Sequence, residues 1–269
     1  MDGHFLGWLA VLLYAAAEAL AIASLVGARR TAAAAAPLAL AAGLAVQFAD
    51  LHARARVLHS VPYRTLSGSL ALFGWMLGAA YLLLWLRHRE RSIGPFLIPF
   101  VILFSLLAMW LPSPPSSPSP ETQGPLFALH VTLAILGYAA FAISFVLSLL
   151  YLVQARQIRR ARTGLLFARL PSLEAIGGMN RTAVAIGLGS LVVSTLLGTI
   201  WAARFWSGLA DAKLLWAIFT LAVYGLLLWM DRRGWKGQRV AVLSIVGFGL
   251  VLFSYTVVNL YFTREHTFR

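Results

Sequence analysis

Two histidines, His130 and His266, are the residues in this chain best suited to chemistry. A neutral imidazole offers one nitrogen lone pair to a metal while its other nitrogen is held by a hydrogen bond. Two such rings facing one another can ligate a haem iron from both sides. Three apolar stretches and a short Trp-rich loop separate the pair, so the chemistry depends on how the chain is threaded.

Each histidine also has a plainer reading. His130 follows GPLFAL and has apolar residues on both sides. An imidazole in such surroundings needs a partner, and a packed, hydrogen-bonded histidine meets that need as well as an iron ligand does. Gly137 and Tyr138 follow two turns later, where a glycine permits close helix approach and a tyrosine offers a hydroxyl. His266, in NLYFTREHTFR, reads as a solvated tail. With Tyr261, Phe262 and Phe268 around it, that tail can instead lie on a membrane interface.

The elements that must position these residues are membrane helices. The 269 residues are 60% hydrophobic and only 12% charged, about half the charged share of a soluble domain. Eight apolar segments are expected, at 5–27, 33–50, 67–86, 94–112, 125–154, 183–203, 213–230 and 240–262, which makes an all-α polytopic membrane protein. The first segment lacks a basic flank and reads as a retained helix rather than a cleaved signal. With no cysteine, thiolate metal sites and thioether attachment of haem to this sequence are excluded.

The net charge of +13 suggests nucleic acid only until it is mapped. Arg29 and Arg30, Arg87 to Arg91, Arg156 to Arg181 and Arg232 to Arg239 lie in four alternate loops, which hold fifteen of the twenty-two basic residues. Basic loops stay on the cytoplasmic side and meet anionic lipid, so no nucleic-acid partner is expected. Both termini then lie on the extracytoplasmic side, and so do His130 and His266. The domain expectation is a four-helix half at 1–112, a Pro/Ser-rich external loop at 113–123 (PSPPSSPSPET) and a second four-helix half at 124–269.

The external loop WAARFWSGLADAKLLW places Trp201, Trp206 and Trp216 around Arg204, Asp211 and Lys213. Tryptophans at an interface are ordinarily belt residues. The alternative is a flat aromatic shelf for a planar ligand, with Arg204 and Lys213 placed to pair with its carboxylates. Glu18, Gln47, Asp50 and Asn259 are the intramembrane polar groups, and Glu18, mid-helix, is a functional candidate or a hydrogen-bonded neutral acid. His52 and His59 flank Arg54 and Arg56 and read as interfacial anchors, although their spacing puts them on one helical face. No P-loop, GxSxG or HExxH motif is present.

HVTLAILGYAAFAISFVLSLLYL, LPSLEAIGGMNR, GTIWAARFWSGLADAKLLWAIFTLAVYG and the segment from GWKGQRV to EHTF, together about residues 124–268, resemble the CcsA/ResC family of System II cytochrome c assembly proteins and its HemX-like branch. VPYRTLSGSLALFGWML resembles the loop and third helix of the same family. The resemblance implies haem, expected as haem b, held at the outer face of a bacterial cytoplasmic (inner) membrane by His130 and His266 against the Trp-rich loop. It also implies apocytochrome c and a ResB/CcsB-like membrane subunit as partners.

Two departures bear on activity. The family's WGxYWxWDxKExW signature survives only as WSGLADAKLLW, which retains Trp206, Asp211, Lys213 and Trp216. Asp231 stands where full synthases resemble one another in having an inner histidine, and Asp is a poor haem ligand. The expected function is therefore haem binding and presentation to apocytochrome c, with haem-lyase activity left open. The alternatives are a HemX-like regulatory or accessory protein without ligase activity, and a small-molecule membrane transporter using Glu18 and Asn259, which the lack of repeats disfavours.

Overall fold

The computed structural model describes residues 5–27, 30–58, 65–111, 124–161, 164–205, 212–235 and 237–253. These form α1 (Phe5–Gly27), α2 (Arg30–Leu58), α3 (Leu66–His88), α4 (Gly94–Trp110), α5 (Pro125–Arg159), α6 (Leu165–Arg169), α7 (Leu173–Phe205), α8 (Ala212–Arg232) and α9 (Gln238–Phe253). Among the described residues six helices are long and apolar enough to cross a bilayer, and α4 and α9 are shorter apolar helices. The chain is a multi-pass all-α membrane protein. Helices are the expected outcome of such runs, because a helix satisfies its backbone polar groups within one segment.

Six of the eight apolar segments expected from the sequence sit inside these helices, and several helices run further; α4 ends at Trp110, short of the expected 112, and residues 254–262 of the last segment lie outside the described residues. α7 begins at Leu173, ten residues before its apolar run, because LEAIGGMNRT continues the helix beyond the uniformly apolar stretch. Ser172 starts it, its hydroxyl accepting from Ala175 N at 3.2 Å, as an N-cap does. α3 begins the same way, with Thr65 Oγ1 accepting from Gly68 N at 3.0 Å. The short helix α6, LLFAR, is too brief to show a helical period and is not among the expected segments. The expected external loop at 113–123 lies outside the described residues, as does the boundary it would define.

Contacts divide the chain into two compact units. The first contains α1 to α4, the end of α5, α6 and the start of α7. α1 packs against α2 and α4, and α3 against α4 and α2. Polar side chains stitch these helices together. Tyr14 donates to Gln47 Oε1 at 2.6 Å, and Gln47 Nε2 donates to the Ala71 carbonyl at 3.1 Å, so α1, α2 and α3 share one buried bridge. Trp75 donates to the Leu44 carbonyl at 2.8 Å, and Ser67 to the Ala108 carbonyl at 2.6 Å. Gly43 makes the first bridge feasible: a Cβ there would lie 2.6 Å from the Tyr14 ring.

The second unit contains the body of α5, most of α7, α8 and α9. Its core holds Phe141, Val184, Leu191, Tyr224, Leu227, Val240 and Val251, with Tyr138 packed against them. The rings of Phe141 and Tyr224 stack 3.6 Å apart and only 5° from parallel. Ser144 donates to Asn180 Oδ1 at 2.6 Å, and Asn180 Nδ2 donates to Ser244 Oγ at 3.3 Å, joining α5, α7 and α9. Gly137 and Gly187 let α5 and α7 touch, since a Cβ on Gly137 would come within 3.1 Å of the Gly187 carbonyl.

Two stability outcomes follow from this packing. Tyr14→Phe should cost about 1 kcal/mol, the loss of an interhelical hydrogen bond that leaves Gln47 Oε1 without its donor. Gly187→Val, whose Cβ would meet the Phe141 ring at 2.5 Å, should cost more, about 1–3 kcal/mol, because α5 must retreat from α7. Reversible unfolding of the detergent-solubilised protein in rising SDS fractions reads both, and a neutral Gly187→Val would contradict the packing described.

Candidate functional site

His130 lies in the second turn of α5. Gly124, at φ +115°, turns the chain into Pro125, whose ring suits the first position of a helix. From α5 the His130 ring reaches across to α7. Its Nδ1 lies 2.7 Å from the Ser194 carbonyl oxygen and 3.1 Å from the Ser194 hydroxyl. That hydroxyl donates in turn to the His130 carbonyl at 2.8 Å.

These three contacts determine the tautomer. The Ser194 hydroxyl has one proton and gives it to the His130 carbonyl, so toward Nδ1 it can only accept. The Ser194 carbonyl can only accept. Nδ1 therefore carries the hydrogen, and Nε2 carries the lone pair. A ring whose Nδ1–H is anchored on a carbonyl, with Nε2 as the basic nitrogen, is the arrangement that metal-ligating histidines use. The donor set on α5 thus fits a haem iron.

Gly198, one turn after Ser194, admits the ring. A Cβ at this position would fall 2.5 Å from His130 Cε1 and 2.6 Å from Nδ1. Ser194 and Gly198 were not identified from the sequence, although a signal was present. His130 and Gly137 are seven residues apart on α5, and Gly187 and Ser194 seven apart on α7. In an antiparallel pair these equal steps bring Gly137 to Gly187 and His130 to Ser194.

Aromatic rings continue the site. Phe127, one turn before His130, has its ring 6.4 Å from the imidazole and 4.9 Å from the ring of Trp201. Trp201 is only 5% exposed, so it is packed against α5 rather than presented to solvent. Arg204, three residues on, is exposed. Trp216, in the second turn of α8, packs edge-on to Phe219 at 5.5 Å and against Phe253 of α9 at 5.3 Å. The backbone of Lys213 belongs to the first turn of α8. Trp206, Asp211 and His266 lie outside the described residues, as do Asn259 and His59.

The remaining polar candidates are placed as follows. Asp231, at the end of α8, receives both Nε and Nη2 of Arg181 on α7, the second contact at 3.2 Å. Both carboxylate oxygens are thereby engaged in a bidentate ion pair. Asp50 pairs with Arg54 at 2.9 Å, one turn along α2. His52 stacks on Phe48 with ring centres 6.3 Å apart. Glu18 Oε2 is buried without a hydrogen-bond partner, and Tyr14, its neighbour in sequence, is committed to Gln47. Among the described residues no three His, Cys, Asp or Glu side chains gather into a metal-binding group.

Residues 63–266 match the family model described as cytochrome C assembly protein. Protein HemX of Brevibacillus brevis is 32% identical over 177 residues, covering 64% of this chain and 64% of the relative. The cytochrome c biogenesis protein CcsA of Chlamydomonas reinhardtii is 27% identical over 217 residues, 77% of this chain and 60% of the relative. Protein HemX of Bacillus subtilis is 29% identical over 204 residues, 72% of each chain. The match spans a little under two thirds of the length of the first two relatives. With its model matched over most of the chain, the protein belongs to the cytochrome c assembly family, which includes both CcsA/ResC-type and HemX-like members.

Proposed function

We propose that this protein is a haem-handling component of cytochrome c biogenesis in a bacterial inner membrane. The observation that carries the proposal is the anchored imidazole of His130, whose Nδ1–H is held by Ser194 so that Nε2 carries the lone pair. His266 is the proposed second axial ligand. Both would lie on the outer face in the charge-based threading.

Bound haem b would supply vinyl carbons reactive toward the thiols of a CxxCH segment. The chain's own residues do the positioning. Ser194 keeps the His130 ring in one rotamer and one tautomer. Phe127 and Trp201 form an apolar wall beside it, which limits water near the ring. Trp206 and Trp216 would extend that surface. Arg204 and Lys213 would pair with propionates, and Asp211 would hold the loop's basic residues. With no cysteine in this sequence, the reacting thiols come from apocytochrome c, and a ResB/CcsB-like subunit is the proposed membrane partner.

A second reading is favoured by one observation. At the position where full synthases have an inner histidine, Asp231 is taken up in an ion pair with Arg181. On this reading the protein keeps the outer haem site but acts as an accessory or regulatory member without ligase activity.

The test is a visible spectrum of protein purified in detergent from haem-replete cells. A low-spin bis-imidazole spectrum is expected, lost in His130→Ala and in His266→Ala. A wild type that carries no haem, even after reconstitution, sinks the proposal. Ser194→Ala removes the hydroxyl but keeps the backbone carbonyl that holds Nδ1–H, so it should leave a folded protein that loses less haem affinity than the about 10–100-fold that follows removal of a whole orienting group. Maturation of a CxxCH reporter in a strain lacking its own synthase distinguishes the two readings: growth of covalent cytochrome supports the synthase role, and its absence in a haem-loaded protein supports the accessory role.

A further inference from the structure

The first unit contains a feature that the haem reading does not use. A narrow cleft opens between α1, α2, α3 and α4, lined by Ser24, Ala36, Leu40, Tyr81, Trp85 and Arg91 among others. Its volume of about 10 Å³ is room for one water-sized group. It therefore admits a single oxygen and excludes a planar macrocycle. Ala36, Leu40 and Ile98 give it an apolar lining, while Trp85, Ser24 and Arg91 line it nearer the helix ends.

Three observations say what that oxygen belongs to. The Trp85 indole N–H is buried and has no hydrogen-bond partner, so the cleft presents a donor that lacks an acceptor. The helix ends around it are basic, with Arg30, Arg87, Arg89 and Arg91 against one acid in that turn, Glu90. Glu18 lies on α1 one turn before Ala21 and is not on the cleft wall. Finally, Arg89 ends α3 in the left-handed conformation, φ 58° and ψ 16°, a position usually given to glycine. A side chain there costs backbone strain, and the Arg89 guanidinium lies over the Trp85 ring at 5.3 Å.

We infer that this cleft is a binding site for the phosphate of an anionic phospholipid. One phosphate oxygen enters the cleft and accepts from Trp85 Nε1, the charge is met by Arg91 and Arg89, and the acyl chains stay outside the cleft in the bilayer. Juxtamembrane arginines attract anionic lipid in general. Here an indole donor in a narrow cleft converts that attraction into a located site. The inference is independent of the haem proposal, since no residue is shared.

The experiment compares thermal unfolding of the detergent-purified protein with added phosphatidylglycerol, phosphatidylcholine or inorganic phosphate, with native mass spectrometry to count retained lipid. Phosphatidylglycerol at a hundredfold excess over its dissociation constant should raise Tm by about 5–10 °C. Phosphatidylcholine and inorganic phosphate should not. Trp85→Phe, which keeps the ring and removes the N–H, and Arg91→Gln should lose most of that rise. Arg89→Gly controls for folding: it relieves the left-handed cap, so its Tm without lipid should hold or increase while the lipid response falls. Equal responses to the two lipids, a full rise with inorganic phosphate alone, or wild-type lipid responses in all three variants would each overturn the inference.

Discussion

A polar side chain within a bilayer has no water to bond, so its partner must come from a neighbouring helix. Much of this structure is arranged around that requirement. Tyr14 and Gln47 meet it across α1, α2 and α3, and Ser144, Asn180 and Ser244 across α5, α7 and α9. His130 and Ser194 meet it across α5 and α7. Glycines make room beside these links. Gly43 provides the space in the first case, Gly137 and Gly187 support the α5–α7 approach, and Gly198 provides it for the histidine. The candidate haem ligand is thus built with the same device that holds the helices together.

That shared device explains why the histidine has two readings from sequence. A packed, hydrogen-bonded His130 and an iron-ligating His130 are the same side chain seen from its two nitrogens. Nδ1 does the packing work on Ser194, and this leaves Nε2 with the electron pair that coordination requires. Asp231 offers the contrast. Its two oxygens are both engaged by Arg181, so the end of α8 is organised by an ion pair and the second turn of α5 by an anchored base.

The membrane helices were legible because apolar composition is a long-range signal, summed over about twenty residues. The start of α7 was less so, because LEAIGGMNRT is helical without being uniformly apolar, and α6 carries no periodic signal at all. At the site, His130 was legible by residue type, whereas Ser194 and Gly198 were not. A serine and a glycine are common in membrane helices, and their meaning lies in which helix they face. The antiparallel register of α5 and α7 supplies that, and it emerges only when the spacing of two distant segments is compared. The aromatic residues show the same limit. Trp201 and Trp216 look alike in sequence, yet the first packs on Phe127 of α5 and the second on Phe253 of α9.

Gly198 has a consequence for how this chain can vary. Every amino acid other than glycine carries a Cβ, and a Cβ at this position would enter the space of the imidazole. No missense change at codon 198 is therefore conservative, not even to alanine or serine, the substitutions usually regarded as mildest. Drift at this codon is closed off unless residue 130 changes with it, and a smaller residue there would discard the imidazole. The two positions form a single heritable unit, and a lineage that dispensed with the imidazole would be free to lose both together.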